Sequence, residues 1–382
     1  MSKKIISIYI CIFVVIMCMP HFAFLVCRNF LDTGNYENRN LATIDEVWES
    51  EYDNMSHKFE EYYNDHLPFR NQLIGMINRI NYYVFHSTLS DQVMIGREGW
   101  LYLEDPMQGN PVSNYTGEDI LTEEELRQIA DNLNANKEYL ASRGTEFVIF
   151  IAPNKSRVYS EYMPSYIGEP AQEYAVKQLV DYLKNNTDIR VVYAYESLMA
   201  AKAMLENGEV NISESDGEDI LYHKADTHWN SLGAYIGTKE LMEELGAGDF
   251  VDITNSELGI RKIANEETDL AAMLHMTRDF SGKEKDYEIT GMAYNDANLE
   301  GTNAEGIVHY SSEGAHNSKT LFMCRDSYSI NMLKYITPVF EQSYFQHHDS
   351  YTPDNLETVN PDIYVYEVVE RSAVYKLSNL RL

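Results

Sequence analysis

Two short segments carry side chains of the kind that activates a nucleophile. The first is Asp226-Thr227-His228-Trp229-Asn230, followed by Ser231-Leu232-Gly233. In an extended segment, residues i and i+2 point the same way, so an aspartate and a histidine at that spacing can face one cleft. A carboxylate on one ring nitrogen fixes the tautomer and stabilises the imidazolium, leaving the other nitrogen to act as a base. The second is Arg325-Asp326-Ser327-Tyr328-Ser329, which follows the apolar run Leu321-Phe322-Met323. A serine where a buried strand passes into a helix lies beside backbone N–H groups able to stabilise an oxyanion. Each segment alone has a plainer reading: His228 as a satisfied histidine beside a helix N-cap, and Asp326 or Ser327 as a turn that caps a helix. Together they supply an activated serine, with Ser327 as nucleophile, His228 as base and Asp226 as its orienting acid. A metal site built from His223, Asp226 and His228, with His347 or His348 added, has neither the spacing of a zinc helix motif nor a cysteine pair. No metal or other cofactor is expected, and His347-His348 reads as an exposed polar loop.

Such a pair of segments needs strands and helices in alternation to hold it. Thr122 and Glu125 form a capping box ahead of a helix bearing Leu126, Ile129, Ala130, Leu133 and Leu140 on one side, and Gly144 ends it. Phe147-Val148-Ile149-Phe150-Ile151 then reads as a strand buried on both faces. The unit repeats, with a helix near Ala171–Leu183, a strand at Ile189–Tyr193 and a helix near Glu196–Leu205. Later come a helix near Leu232–Leu245, a strand at Thr320–Cys324, a helix from about Ser329 and a strand at Ile363–Val368. This alternation predicts an α/β fold with a mainly parallel sheet covered on both faces. Residues 250–317 are polar and read as a long excursion on the active-site side.

Before this domain, Leu73, Ile77, Ile80 and Val84 repeat at i, i+4, i+7 and i+11 and predict one apolar helix face, separated by Pro68 from an aromatic-rich helix containing Phe59, Tyr62 and Tyr63. Earlier still, Lys3 and Lys4 precede an almost charge-free stretch from Ile5 to Val26. About 20 apolar residues suffice to cross a bilayer, and leading positive charge predicts a cytoplasmic N-terminus. Pro20, His21 and Phe22 precede only a weak cleavage site at Ala23, and Val26 stands where a lipoprotein with lipidated Cys27 needs a small residue, so an uncleaved anchor is expected over either alternative. All three place the remaining chain outside the cytoplasm. The expected organisation is an anchor at 1–27, a helical stalk or cap at 28–90 and the α/β domain at 91–382.

Composition narrows the partners. The 382 residues carry a formal charge of −30, which repels nucleic acid and anionic surfaces, so nucleic-acid binding is excluded. Three of the four cysteines fall within the first 27 residues, leaving Cys324 alone, so the folded part has no disulfide framework. The 29 tyrosines suit stacking and hydrogen bonding against sugars, and equally suit any wet cleft.

The Asp-Thr-His-Trp-Asn segment, the Asp326-Ser327-Tyr328-Ser329 turn, Gly96-Arg97-Glu98-Gly99-Trp100-Leu101-Tyr102 and the Pro153-Asn154-Lys155 to Tyr159 stretch together resemble the AlgX/AlgJ-type SGNH-hydrolase-like proteins. The chain is more closely similar to the DHHW family, through Asn38-Arg39-Asn40-Leu41, Phe59 to Arg70 and Glu370-Arg371. The resemblance implies an SGNH-type three-layer α/β/α fold. It further implies O-acetylation of an extracellular polysaccharide, with acetyl received from a membrane-bound O-acyltransferase and passed through an ester of Ser327, with His228 and Asp226 in the roles above. It departs from the usual pattern in two ways: the Asp/His pair precedes the serine, as in the AlgX/AlgJ branch, and Arg325 replaces the glycine before Asp-Ser. Asn154, Tyr328 and Arg325 are the candidates for oxyanion or substrate contacts, with a simple turn role as the alternative for Asn154. A carbohydrate esterase using the same trio and a non-catalytic glycan-binding or assembly protein of the same fold remain alternatives.

Overall fold

The computed structural model describes residues 3–31, 33–35, 40–213, 216–266, 268–292 and 297–382; Asn38 and Arg39 lie outside them. The chain forms two compact units, one of residues up to Ser90 with Asp269–Asp279, the other of Asp91–Thr268 with Phe280–Leu382.

In the first unit, Lys3–Cys27 is one helix, and the stretch Ile5–Phe30 is long and apolar enough to cross a membrane. Ile44–Glu49 follows, with Thr43 and Glu46 making a capping box, then the helices Met55–Asp65 and Arg70–Ile80 on either side of Pro68. The apolar face expected on the last helix is solvent-exposed, with Leu73, Ile77, Ile80 and Val84 each more than two-fifths accessible. The helix winds into a π turn at Asn81–Phe85, which takes Val84 off the α-helical period. Its inward contacts are polar or close: Asn78 Nδ2 donates to Leu274 O at 2.9 Å, and Arg79 pairs with Asp279 at 2.7 Å. At Gly75 a Cβ would stand 2.6 Å from His275 O, so the backbone of this segment fits only against glycine.

Among its described residues the second unit has twelve strands: β1 (Val93–Ile95), β2 (Leu101–Leu103), β3 (Glu146–Ala152), β4 (Arg190–Tyr193), β5 (Ile212–Ser213), β6 (Gly259–Ala264), β7 (Lys285–Thr290), β8 (Asn298–Thr302), β9 (Val308–Ser311), β10 (Asn317–Arg325), β11 (Phe340–His347) and β12 (Ile363–Val369). The central sheet runs β4-β3-β12-β10-β11-β9-β8; its first five strands are parallel, and β9 and β8 add antiparallel at the edge. Alternation along β3 sends Val148, Phe150 and Ala152 into one core and Phe147, Ile149 and Ile151 into the other. The first core is closed by the helices Tyr195–Glu206, Ser231–Leu245 and Ile330–Ile336, the second by Glu123–Ser142, Ala175–Asn186 and Glu370–Ser378. The result is a three-layer α/β/α fold. Each large apolar core side chain such as Phe150 or Phe322 contributes about 1.5–3 kcal/mol through burial.

The excursion at 250–317 is more structured than its polarity implies. β6 and β7 build a small sheet with β5, and β8 and β9 extend the central sheet. Half-exposed edge strands bury one face at most, so they lack the continuous apolar run that marked β3 and β12. His347 ends β11, and His348 stacks on Tyr366 with ring centroids 4.7 Å apart; burial lowers its pKa to about 4, so this is a packed histidine and not an exposed loop.

Candidate active site

The parallel strands all end at one edge of the sheet, and the candidate residues follow their C-terminal ends: Asn154 and Lys155 after β3, Ser327 after β10, and Glu370 and Arg371 after β12. The Asp226 segment reaches this edge on a hairpin in which Tyr222 pairs with Trp229, His223 N donates to His228 O and Asn230 N donates to Leu221 O. Its tip is a bend, not an extended run. Asp226 Oδ1 accepts the His228 N–H at 2.9 Å, an Asx-type turn that folds the carboxylate back onto its own histidine. His228 Nδ1 then lies 2.7 Å from the same oxygen.

His228 Nε2 is 2.8 Å from Ser327 Oγ. A carboxylate can only accept, so Nδ1 carries the ring proton and Nε2 is left to accept from the serine hydroxyl. The Asp226 side chain is almost fully buried and His228 about one-fifth exposed, so the line runs from the interior to an accessible end.

The serine is free for this contact because Asp326 does the capping. Asp326 Oδ1 accepts from Tyr328 N at 2.8 Å and Oδ2 from Val369 N at 2.7 Å, while Ser329 Oγ donates to Asp326 O. Asp326 N donates in turn to Glu367 Oε2 at 2.8 Å. Glu367 is fully buried; burial first, and the adjacent Asp326 charge second, push its carboxyl well above the ordinary range. The two segments are also stitched together. Trp229 Nε1 donates to Tyr328 O at 2.8 Å, Tyr328 OH to Thr227 O at 2.6 Å, and Asn331 Nδ2 to Trp229 O at 3.1 Å. Gly233 allows this packing, since a Cβ there would stand 2.4 Å from Leu221 O.

Several positioning residues gave no local signal as such. Lys155, buried, donates through Nζ to the carbonyls of His223, Lys224 and Asp226 at 3.0, 3.1 and 2.6 Å. Glu284, from the polar excursion, accepts the N–H groups of Lys224 and Ala225, and burial raises its pKa. Glu370 accepts the Asn154 N–H at 2.8 Å and pairs with buried Arg157 at 3.3 Å; burial raises its pKa against those two attractions. Lys155 and Glu370 lie inside the stretches that carry the family resemblance, whereas Glu284 lies in sequence with no pattern of its own.

The three oxyanion or substrate candidates are placed as follows. Asn154 Nδ2 donates to Asn114 Oδ1 at 3.2 Å, and Asn154, Thr227, Tyr328 and Arg371 line a cavity of about 20 Å³, room for one water. Arg371 stands over the Tyr328 ring at 5.4 Å. Arg325 turns its Nη1 to Asp326 O, bracing its own turn. His223 is fully buried, accepts from the Asn265 amide on Nδ1 at 3.0 Å and is held neutral by burial. The His228 nitrogens lie against Asp226 and Ser327, a geometry that suits an activated hydroxyl.

Comparison with known proteins agrees with this architecture. The family model for the SGNH hydrolase-like domain of acetyltransferase AlgX matches residues 93–300, just over half of the chain and ending before Ser327. A Pseudomonas aeruginosa protein named as a probable alginate O-acetylase, AlgJ, is 21% identical over 217 residues, covering 56% of this chain and 48% of the relative. The chain thus spans about half the length of the curated relatives it matches. Among solved structures, Bacillus cereus PatB1 with a sulfonyl adduct has a TM-score of 0.52 at 14% identity, covering 76% of this chain and all of that one. A DHHW family protein from Eubacterium siraeum has a TM-score of 0.49 at 16% identity, covering 75% of this chain and 97% of that one. At 14% identity the likeness to PatB1 is one of fold.

Proposed function

The chain belongs to the family of SGNH hydrolase-like domains of acetyltransferase AlgX, and from that premise we propose that it is an extracytoplasmic O-acetyltransferase acting on a cell-surface or secreted polysaccharide. The observation that carries this reading is the unbroken line Ser327 Oγ–His228 Nε2, His228 Nδ1–Asp226 Oδ1. His228 takes the Ser327 proton as Oγ attacks the acetyl carbonyl of the donor. It returns that proton to the leaving group, and an acetyl ester remains on Ser327. A sugar hydroxyl then attacks this ester, giving its proton to His228, and the serine oxygen leaves and recovers that proton. The charge that develops on the carbonyl oxygen falls beside the turn starting at Ser327, where the Ser327 N–H is the candidate donor, the Tyr328 N–H being held by Asp326 Oδ1. The donor is a membrane-bound O-acyltransferase, which suits a protein held at the membrane by the helix Lys3–Cys27.

The test is incubation of the protein with an activated acetyl ester, with and without an oligosaccharide. Acetyl should appear on Ser327 by mass spectrometry, and adding the oligosaccharide should move it to sugar hydroxyls. Acetate alone, at a rate indifferent to the sugar, would assign the carbohydrate-esterase reaction instead. No acetylation of Ser327 at all would leave a glycan-binding role.

A further inference from the structure

Three strands along the same edge from Ser327, at the C-terminal end of β4, the second unit has a cavity of about 500 Å³. Tyr174, Tyr193, Tyr195, Arg157 and Met199 line it, and the helix Ala175–Asn186 forms one wall. This is far more than the room for one water beside Tyr328, and of the size of a small-ligand pocket. Its position obeys the rule that ligands meet open α/β sheets at the carboxyl ends of strands.

We propose that this cavity is a subsite for an uncharged pyranose unit of the acceptor glycan, remote from the unit that is acetylated; it rests on the transferase reading above. The chemistry of the lining selects that ligand. Tyr193 and Tyr195 stack with centroids 5.9 Å apart and planes within 16°, and Tyr195 and Met199 are each half-buried, leaving aromatic and thioether surface for the apolar face of a sugar ring. The Tyr174 and Tyr193 hydroxyls meet at 3.1 Å and Tyr193 also bonds Glu370, so these hydroxyls fix the wall while the aromatic surface carries the recognition.

No net positive charge awaits a polyanion. Arg157 is paired with Glu370 and Lys177 with both Glu173 and Asp181; Lys184 faces Glu240, and Glu196 adds a further acid at the wall. The chain's charge of −30 disfavours anionic polymers still further.

The cavity is joined to the reacting end by a buried path. The Arg157 guanidinium lies 3.7 Å from the Tyr174 ring centroid and pairs with Glu370, which in turn holds the Asn154 N–H. With neighbouring strands about 4.8 Å apart, the order β4-β3-β12-β10 puts the subsite about 14 Å from Ser327, so a chain of several sugars lying across the strand ends reaches both.

Binding is measured without turnover, on the full-length protein in detergent carrying Ser327→Ala, by calorimetric titration with cellohexaose, chitohexaose and a polymannuronate hexamer. In that background Tyr195→Ala should weaken binding of a neutral hexasaccharide roughly tenfold, the worth of one aromatic stack. Met199→Trp, which fills the cavity, should do the same, and Tyr195→Phe should keep the parent affinity. Near-ultraviolet circular dichroism checks that each variant is folded. Equal affinities in parent, Tyr195→Ala and Met199→Trp would overturn the subsite. So would failure of the parent to bind either neutral hexamer, or a preference for the polymannuronate that Tyr195→Ala abolishes. None of these readings depends on acetyl transfer, whose own failure would appear as an unacetylated Ser327 in the parent sequence.

Discussion

In the proposed mechanism Ser327 and His228 share one proton across 2.8 Å, and such groups act as a unit. Ser327→Ala and His228→Ala should therefore each lower transfer by roughly three orders of magnitude or more, and the double variant should be scarcely slower than either. Additive losses, measured as initial rates on an activated acetyl ester, would separate the two residues and sink the trio. A second side chain offers a test of the turn that presents the serine. Glu367 has its carboxyl pushed up by burial and by Asp326, so the folded state retains a proton that the unfolded state releases. The stability this gives is complete below the ordinary glutamate value of about 4.3 and is lost as pH rises through the raised one. Glu367→Gln mimics the protonated form at every pH and keeps an oxygen for the Asp326 N–H. Its melting temperature should match the parent near pH 4 and exceed it increasingly towards pH 9; the opposite trend would mean that Glu367 is ionised in the fold.

Among the elements, the loop between Tyr222 and Trp229 depends on groups from elsewhere in the chain. It holds its shape because an ammonium satisfies its carbonyls and a carboxylate its amides, Lys155 from the end of β3 and Glu284 from the stretch before β7. Lys155→Met would leave three carbonyls without their donor and should cost about 3–5 kcal/mol of unfolding free energy, read by denaturant titration. The remaining folded protein should lose rate rather than substrate affinity, because Asp226 is displaced from His228; an unaltered rate constant would show that the loop holds itself. The pairing of Asp226 with His228 was readable from two positions in sequence, yet the extended geometry behind that reading was wrong: an Asx turn brings the groups together. Buried strands such as β3 and β12 announced themselves by unbroken apolar runs, as did the helices whose apolar stripe meets the sheet. β8, β9 and β11 did not, because edge and mixed strands alternate polar and apolar residues and resemble loops in composition. Glu284 and Asp286 were illegible for a different reason: their partners, the amides of Lys224, Ala225 and Ser231, lie some 55–60 residues away, and no local rule links them.

For the molecule as a whole, the decisive proposal is that the segment Ile5–Phe30 remains attached and holds the chain at the membrane. A chain with a formal charge of −30 gains nothing from an anionic bilayer surface, so electrostatic adhesion cannot keep it beside a membrane-embedded acetyl donor. Hydrophobic insertion can: about 20 apolar residues in a helix span the hydrocarbon core, and a helix satisfies its own backbone away from its ends, here with the exception of the Ile16 carbonyl, to which Pro20 has no N–H to offer. Lys3 and Lys4 precede the span, and by the positive-inside rule the proposed anchor has its N-terminus inside and everything after Arg28 outside. The protein should accordingly stay in the membrane pellet through high salt and alkaline carbonate, with its first residues recovered intact from that fraction. Protease added to cells stripped of their wall should digest the chain beyond Arg28 and spare the span. A soluble form beginning near Phe24 would replace the anchor with a cleaved signal, and a lipid on Cys27 would replace it with an acyl tether; in either case the donor would have to reach Ser327 by some means other than shared residence in the bilayer.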